Sequence, residues 1–236
     1  MTLANVTAEM GLKSAAFPPD DKLADYFGDY AVQGVWADRD AMYYKEFEVD
    51  LAQVIPLVME VGEINEIKAP GEWGRLEIQQ GLIGACASGR LEDLRVVARI
   101  LDGKKIASGF QLSIVPASRE IYLQAIQEGI IDRLVKSGAS ILGSSCGPCL
   151  GSSHMIMADT RRFITTVNSN SMRRLSAIGV EKYVASPATV AMTALTGVLT
   201  VEVERTDAKY PYWEMPKVWV TVNEFERRYH NRVWNY

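Results

Sequence analysis

Along the middle of the chain, short apolar runs alternate with segments in which apolar residues recur every three to four positions. This pattern predicts strands followed by helices. Residues 81–85 form a short apolar run typical of a buried strand, and residues 92–101 repeat apolar positions every three to four residues, as one helix face does. The same order recurs up to about residue 203. The predicted strands are residues 81–85, 111–115, 140–142, 163–167 and 183–185.

Serine and glycine mark the ends of the predicted helices. Ser118 caps a helix that Gly129 breaks, and a second helical piece then ends at Gly138. Ser186 caps a later helix, which begins with proline and which Gly197 closes. Strands that alternate with helices at this spacing predict a three-layer α/β/α fold with a mainly parallel sheet.

The two ends of the chain are less regular. The composition of residues 17–21 predicts a turn into a short helix at residues 22–26. The C-terminal residues are rich in aromatic side chains and arginine, which fits contact with a partner protein. We expect an N-terminal segment, an α/β domain and a C-terminal extension, at residues 1–75, 76–203 and 204–236.

Composition narrows the class of protein. The 236 residues include 25 Lys and Arg against 29 Asp and Glu, a net charge of −4, so no basic surface points to nucleic acid or an anionic membrane as partner. Residues 1–5 lack the features of a signal peptide, and the apolar residues 187–203 are interrupted by threonine, glycine and glutamate, unlike a membrane span. An odd number of cysteines without a secretion signal favours a reducing compartment, and we expect a cytoplasmic protein.

All three cysteines follow predicted strands. Cys86 comes directly after the strand at residues 81–85, and Cys146 and Cys149 form a C-x-x-C pair after the strand at residues 140–142. Open α/β sheets bind their ligands at the carboxyl ends of strands. A [4Fe-4S] cubane normally takes four cysteines, so three leave one iron free to act on a substrate as a Lewis acid.

The cysteine spacing by itself leaves four interpretations open. A structural zinc site with His154 as fourth ligand, a redox dithiol, inert buried cysteines and an iron-sulfur cluster all fit it. The glycine and serine residues between Cys149 and His154 look more like the wall of a site than a zinc knuckle. A redox dithiol leaves Cys86 unexplained. The periodicity of apolar residues does not decide among the four interpretations.

Six stretches of the sequence agree in order and spacing with one protein family. They are residues 1–11, 16–18, 83–86, 89–95, 146–151 and 186–188. In these stretches the chain resembles the iron-sulfur part of the aconitase family, which includes aconitate hydratase, homoaconitase and the large subunit of 3-isopropylmalate dehydratase. The resemblance runs from residue 1 to about residue 200. It implies an aconitase-like fold and a hydro-lyase or isomerase.

The resemblance also implies a cofactor. Cys86, Cys146 and Cys149 match the family's ligands of a [4Fe-4S] cluster, whose fourth iron takes the hydroxyl and a carboxylate of a hydroxy di- or tricarboxylic acid. Asn5 and Glu9 match an asparagine and a glutamate at the cluster, although their spacing alone also fits a solvated helix face. The implied reaction removes water from the acid and returns it at the neighbouring carbon.

A second matching segment departs from the family pattern. Asn168 matches another asparagine at the cluster, and Arg174 fits a substrate-binding arginine, although Arg173 and Arg174 also fit an ordinary solvated pair. The family usually has arginine where Ser169 stands and glycine where Arg173 stands. Serine cannot grip a carboxylate through two parallel hydrogen bonds as arginine does. One contact to the substrate is therefore lost or supplied elsewhere.

Two parts of the family's enzymes have no counterpart in this chain. They are the upstream half, with catalytic histidines and an aspartate, and the small swivelling domain, with the base serine and further arginines. We therefore expect a subunit that is active only with a complementary large-subunit half and a small swivelling-domain subunit, with residues 1–75 completing a shared domain. The alternatives are a non-catalytic iron or redox sensor and a zinc-stabilised interaction module.

Overall fold

The chain contains two compact units. The computed structural model describes residues 2–7, 12–17, 20–28, 37–50, 54–62, 66–146, 149, 160–168, 179–200 and 218–222. The first unit comprises Met1–Val54 and Lys209–Tyr236, and the second comprises Ile55–Ala208. In the described residues, no helix is both long and apolar enough to cross a membrane.

Short helices and a two-stranded antiparallel ribbon form the described part of the first unit. The elements are α1 (Thr2–Val6), α2 (Asp21–Phe27), β1 (Lys45–Val49) and the last strand, β9 (Val218–Val222), which pairs with β1. The Asp20 carboxylate caps α2 by accepting a hydrogen bond from the backbone N–H of Leu23 at 2.8 Å. The predicted helix at residues 22–26 is confirmed, one residue longer at each end.

A mixed seven-stranded sheet forms the centre of the second unit. Its strands are β2 (Val58–Glu60), β3 (Glu66–Lys68), β4 (Gln80–Gly84), β5 (Gln111–Val115), β6 (Ser140–Ile141), β7 (Arg162–Thr165) and β8 (Glu181–Val184). They lie in the order β3-β2-β8-β7-β4-β5-β6. The five strands from β8 to β6 are parallel, and β2 and β3 add an antiparallel hairpin at one edge. The predicted α/β class and mainly parallel sheet are confirmed.

The α-helices described in the second unit are α3 (Ala85–Ser88), α4 (Leu91–Leu101), α5 (Arg119–Gln127), α6 (Ile130–Ser137) and α7 (Pro187–Thr196). The ends of α4 to α7 agree with the predicted ends to within one residue, whereas α3 was not predicted. The Ser118 hydroxyl accepts a hydrogen bond from the N–H of Ile121 at 3.2 Å and so caps α5. Gly129 and Gly138 adopt the left-handed conformation on either side of α6, with φ of +67° and +105°.

Two apolar cores lie on opposite faces of the sheet, because successive side chains of a strand point to opposite faces. Ile83 and Ile164 belong to the larger core, together with side chains from α4, α5, α6 and α7. Leu82, Phe163 and Cys149 belong to the smaller core, together with a side chain from α3. One of the three cysteines is therefore packed into the protein interior on the second face.

Candidate metal centre

The strand order creates a crevice at the carboxyl ends of β4 and β7. From β4 the chain moves to β5 and β6 on one side, whereas β7 lies on the other side of β4 and leads to β8. The connections that leave β4 and β7 run in opposite directions, and open α/β sheets bind ligands at such a point. Cys86 follows β4 and Asn168 follows β7, so both residues belong to this edge of the sheet.

A sharp turn between β4 and α3 carries Cys86. Gly84 has φ of +116° and Ala85 has φ of +57°, a conformation that residues with a side chain rarely adopt. A Cβ atom at Gly84 would overlap the backbone carbonyl oxygen of Val115 on β5, so glycine alone fits at this position. The side chain of Cys86 is exposed at the end of this turn.

A buried hydrogen bond joins the Cys86 turn to the end of β7. The backbone N–H of Gly84 donates to Oγ1 of Thr166 at 2.8 Å, and the N–H of Thr166 donates to the carbonyl of Leu82 at 3.1 Å. Thr166 is buried and lies two residues before Asn168. The segments that carry Cys86 and Asn168 are thus tied together across the crevice. The sequence around Thr166 gives no sign of this contact.

The three thiols lie close enough for their charges to interact. Cys86 and Cys146 are exposed, and Cys149 is 6% exposed. Burial, followed by the negative charges of Cys86 and Cys146, raises the pKa of the Cys149 thiol to about 11. The fold therefore brings together the cysteines that the sequence singled out, and their role as metal ligands stays a prediction.

The donor set consists of thiolates, which are ligands of zinc and of iron-sulfur clusters alike. Among the described residues, no group of three or more His, Cys, Asp and Glu side chains is already placed to hold a metal ion. A bound metal would supply positive charge that favours the thiolate form of the buried Cys149, because coordination deprotonates a thiol.

The other predicted site residues fall in different parts of the chain. Asn168 is half-buried three residues beyond β7, on the same edge as Thr166. Asn5 is half-buried in α1, which belongs to the first unit. The candidates that lie outside the described residues are Glu9, Ser169, Arg174 and the alternative zinc ligand His154.

An ion pair with a tyrosine beside it lies at the opposite edge of the sheet. Arg162 begins β7 and Glu181 begins β8, and the guanidinium Nε of Arg162 donates to Oε2 of Glu181 at 2.6 Å. The hydroxyl of Tyr183 donates to the same oxygen at 2.9 Å. The hydrogen bond from Arg162 lowers the pKa of Glu181, while burial raises the pKa of Tyr183. This cluster joins two strands at their amino ends, away from the cysteines.

Fold and site together define an α/β protein with three neighbouring cysteines at the carboxyl ends of its parallel strands. A sequence profile of the aconitase family (aconitate hydratase) matches residues 62–197, more than half of the chain. The chain belongs to the aconitase family. The resemblance inferred from six sequence stretches is thereby confirmed.

Curated relatives extend the match beyond the family profile. The 3-isopropylmalate dehydratase large subunit of Clostridium beijerinckii is 41% identical over 203 residues, which is 84% of this chain and 48% of the relative. The probable methanogen homoaconitase large subunit of Methanosarcina mazei is 39% identical over 203 residues, 85% of this chain and 51% of the relative. The chain spans about half the length of the curated relatives it matches.

A solved structure gives a more distant likeness. The crystal structure of Thermococcus kodakaraensis aconitase X in its holo-form has 24% sequence identity and a TM-score of 0.35, covering 44% of this chain and 25% of that chain. So low a score adds nothing to the sequence matches.

Proposed function

We propose that this chain is the cluster-bearing part of a hydro-lyase or isomerase that removes water from a hydroxy di- or tricarboxylic acid and returns it. One observation carries the proposal: Cys86 and Cys146 lie near enough to Cys149 for their charges to act on it, at the carboxyl ends of parallel strands in a member of the aconitase family. The names of the relatives, dehydratase and homoaconitase, support the reaction class. Family membership favours this function over an iron or redox sensor and over a zinc-stabilised module.

Cys86, Cys146 and Cys149 would hold a [4Fe-4S] cluster. When bound, a cluster with one iron free of cysteine supplies a Lewis acid that polarises the bond between carbon and the leaving hydroxyl group. Cys149 would bind the cluster from the apolar core, whereas Cys86 and Cys146 would bind it from exposed positions. Burial of Cys149 would keep water from one side of the cluster, and the exposure of Cys86 and Cys146 would leave another side open to a substrate.

The remaining proposed site residues bind and orient the substrate. The amides of Asn5 and Asn168 can donate hydrogen bonds to oxygen atoms that gain negative charge during the reaction. The Glu9 carboxylate can hold a proton of the departing hydroxyl group. Arg174 would bind a substrate carboxylate through two parallel hydrogen bonds, and Ser169 offers a single hydroxyl in place of a second fork.

We also propose that catalysis needs partner chains. The relatives that carry the name large subunit are about twice as long as this chain. A complementary large-subunit half and a small swivelling-domain subunit would supply the missing acid, base and arginines. Each acid or base step contributes roughly 10² to 10⁴ in rate, so the chain by itself should show no turnover.

An assay of the chain purified without oxygen tests this function. The chain is given 3-isopropylmalate and related hydroxy acids, first alone and then with candidate partner chains, and formation of the unsaturated acid is followed. We expect turnover only when the complex is assembled. Turnover by the isolated chain would contradict the need for partners, and an inactive complex that carries its cluster would contradict the hydro-lyase assignment.

Replacing Arg174 with lysine tests the proposed carboxylate contact. Lysine keeps the charge but loses the fork, so one hydrogen bond to the charged carboxylate is lost, which costs about 1.5 to 3 kcal/mol, or roughly 10- to 150-fold in kcat/KM of the complex. Arg119→Lys is the matched control, because the Arg119 side chain is 85% exposed on α5. Unchanged kcat/KM in Arg174→Lys would show that this residue does not bind substrate.

A further inference from the structure

Thr166 occupies an unusual place at the end of β7. The pairing of β4 with β7 ends at Leu82 opposite Thr165, and beyond it the chain of β4 turns away through Gly84. The backbone N–H of Gly84 is buried and requires an acceptor, because an unpaired buried N–H is costly. A side chain, Oγ1 of Thr166, supplies that acceptor at 2.8 Å.

The opposite side of the Cys86 turn is fixed by backbone packing. Gly84 and Gly89 both approach the backbone of Val115 so closely that a Cβ atom at either position would overlap it. The N–H of Ala117 also donates to the carbonyl of Gly89 at 2.8 Å. The turn therefore packs against β5 through backbone atoms and is hydrogen-bonded to the end of β7 through the hydroxyl of Thr166.

We infer that Thr166 is a positioning residue: its hydroxyl sets where the Cys86 turn stands relative to the segment of Asn168. Cys86 lies two residues after Gly84, and Asn168 lies two residues after Thr166. The hydrogen bond between Gly84 and Thr166 therefore joins the two segments at positions equally distant from their site residues. The role of Cys86 as a cluster ligand rests on the proposed function. The contact between Thr166 and Gly84 is present in the chain itself and can be tested without a cluster.

Amide hydrogen exchange of the full chain tests the contact. Thr166→Val keeps the shape of the side chain but removes the acceptor, so the amides of the peptide at residues 82–89 should exchange about tenfold faster. Thr166→Ser restores the hydroxyl and should restore slow exchange. Thr193→Val is the matched control, since Thr193 is also buried but its hydroxyl donates to the Thr189 carbonyl within α7.

Release of iron from the loaded protein tests the consequence for the site. After anaerobic loading, mild oxidation should remove the first iron several-fold faster from Thr166→Val than from wild type or from the two other variants. Circular dichroism confirms that each variant is folded, and Thr166→Ala repeats both measurements if Thr166→Val does not fold.

The outcomes separate this inference from the proposed function. Wild-type exchange in Thr166→Val, or equal acceleration in Thr193→Val, would overturn the positioning role. A loaded Thr166→Val that releases iron at the wild-type rate would overturn it as well. A wild-type chain that takes up no iron would contradict the proposed function instead, and the exchange measurement would still decide whether Thr166 fixes the turn.

Discussion

Gly84 is required by the turn that presents Cys86. At φ of +116° a side chain is strained, and a Cβ atom would overlap the Val115 carbonyl. We expect Gly84→Ala to lower the free energy of unfolding by more than about 3 kcal/mol, since backbone strain and overlap add. Urea unfolding followed by circular dichroism measures the change.

Gly103 provides the control for backbone strain alone. It also has positive φ, +67°, but a Cβ atom at this position would meet no other atom within 4 Å. Gly103→Ala should therefore cost about 1 to 2 kcal/mol, the cost of the left-handed conformation. Equal losses in Gly84→Ala and Gly103→Ala would show that the contact with Val115 carries no weight.

Glu181 should make stability depend on pH. Its pKa is lowered in the folded chain, mainly by the hydrogen bond from Arg162, so its contribution is present above the ordinary pKa and is lost as pH falls through the lowered value. The Glu181 side chain is 44% exposed, and after allowance for solvent screening we expect Glu181→Gln to cost about 1 kcal/mol at pH 7. The difference from wild type should shrink below about pH 4.3.

Unfolding by urea at several pH values checks this expectation. Asp132→Asn is the control, because Asp132 pairs with Lys136 on the surface of α6 with 62% of its side chain exposed. Such a pair contributes at most about 0.5 kcal/mol. A Glu181→Gln deficit that persists unchanged at low pH would rule out the carboxylate as its source.

Helix α5 depends on its cap. The Ser118 hydroxyl accepts the hydrogen bond of the Ile121 N–H, and loss of such a cap typically costs about 1 kcal/mol. Ser118→Ala should lower the free energy of unfolding by that amount in urea, and Ser118→Asn should restore most of it. If Ser118→Asn is as unstable as Ser118→Ala, the effect does not come from the cap.

The helices were predictable because their ends depend on local chemistry. Ser118, Gly129 and Gly138 set the bounds of α5 and α6 through caps and left-handed turns within one turn of helix. Strands β2 and β3 were not predictable, because three residues carry no recognisable period and their pairing is antiparallel to the rest of the sheet. The ribbon of β1 and β9 joins segments more than 160 residues apart, which no local pattern records.

The proximity of the cysteines was predictable from the order of strands and helices. Cys86 and Cys146 follow strands, and strand ends of a parallel sheet share one edge, so their proximity followed from the pattern. The contact between Thr166 and Gly84 depends instead on β7 lying beside β4. After β6 the chain returns to the other side of β4 to form β7, and the local sequence does not encode this change of direction.

At the scale of the whole chain, the first unit contains the two-stranded ribbon and the second is the α/β unit that carries the cysteines. The chain covers about half the length of its curated relatives. A cluster bound by these cysteines is the premise on which the proposed reaction and the need for partners both depend.

Metal and sulfide analysis of the chain purified without oxygen tests that premise. We predict about four iron and four acid-labile sulfide per chain, as in one cubane. Mild oxidation should then give a three-iron signal by electron paramagnetic resonance, because the iron without a thiolate is held least firmly. Cys149→Ser should abolish iron binding. Zinc at about one per chain without sulfide, or full iron content in Cys149→Ser, would contradict the account.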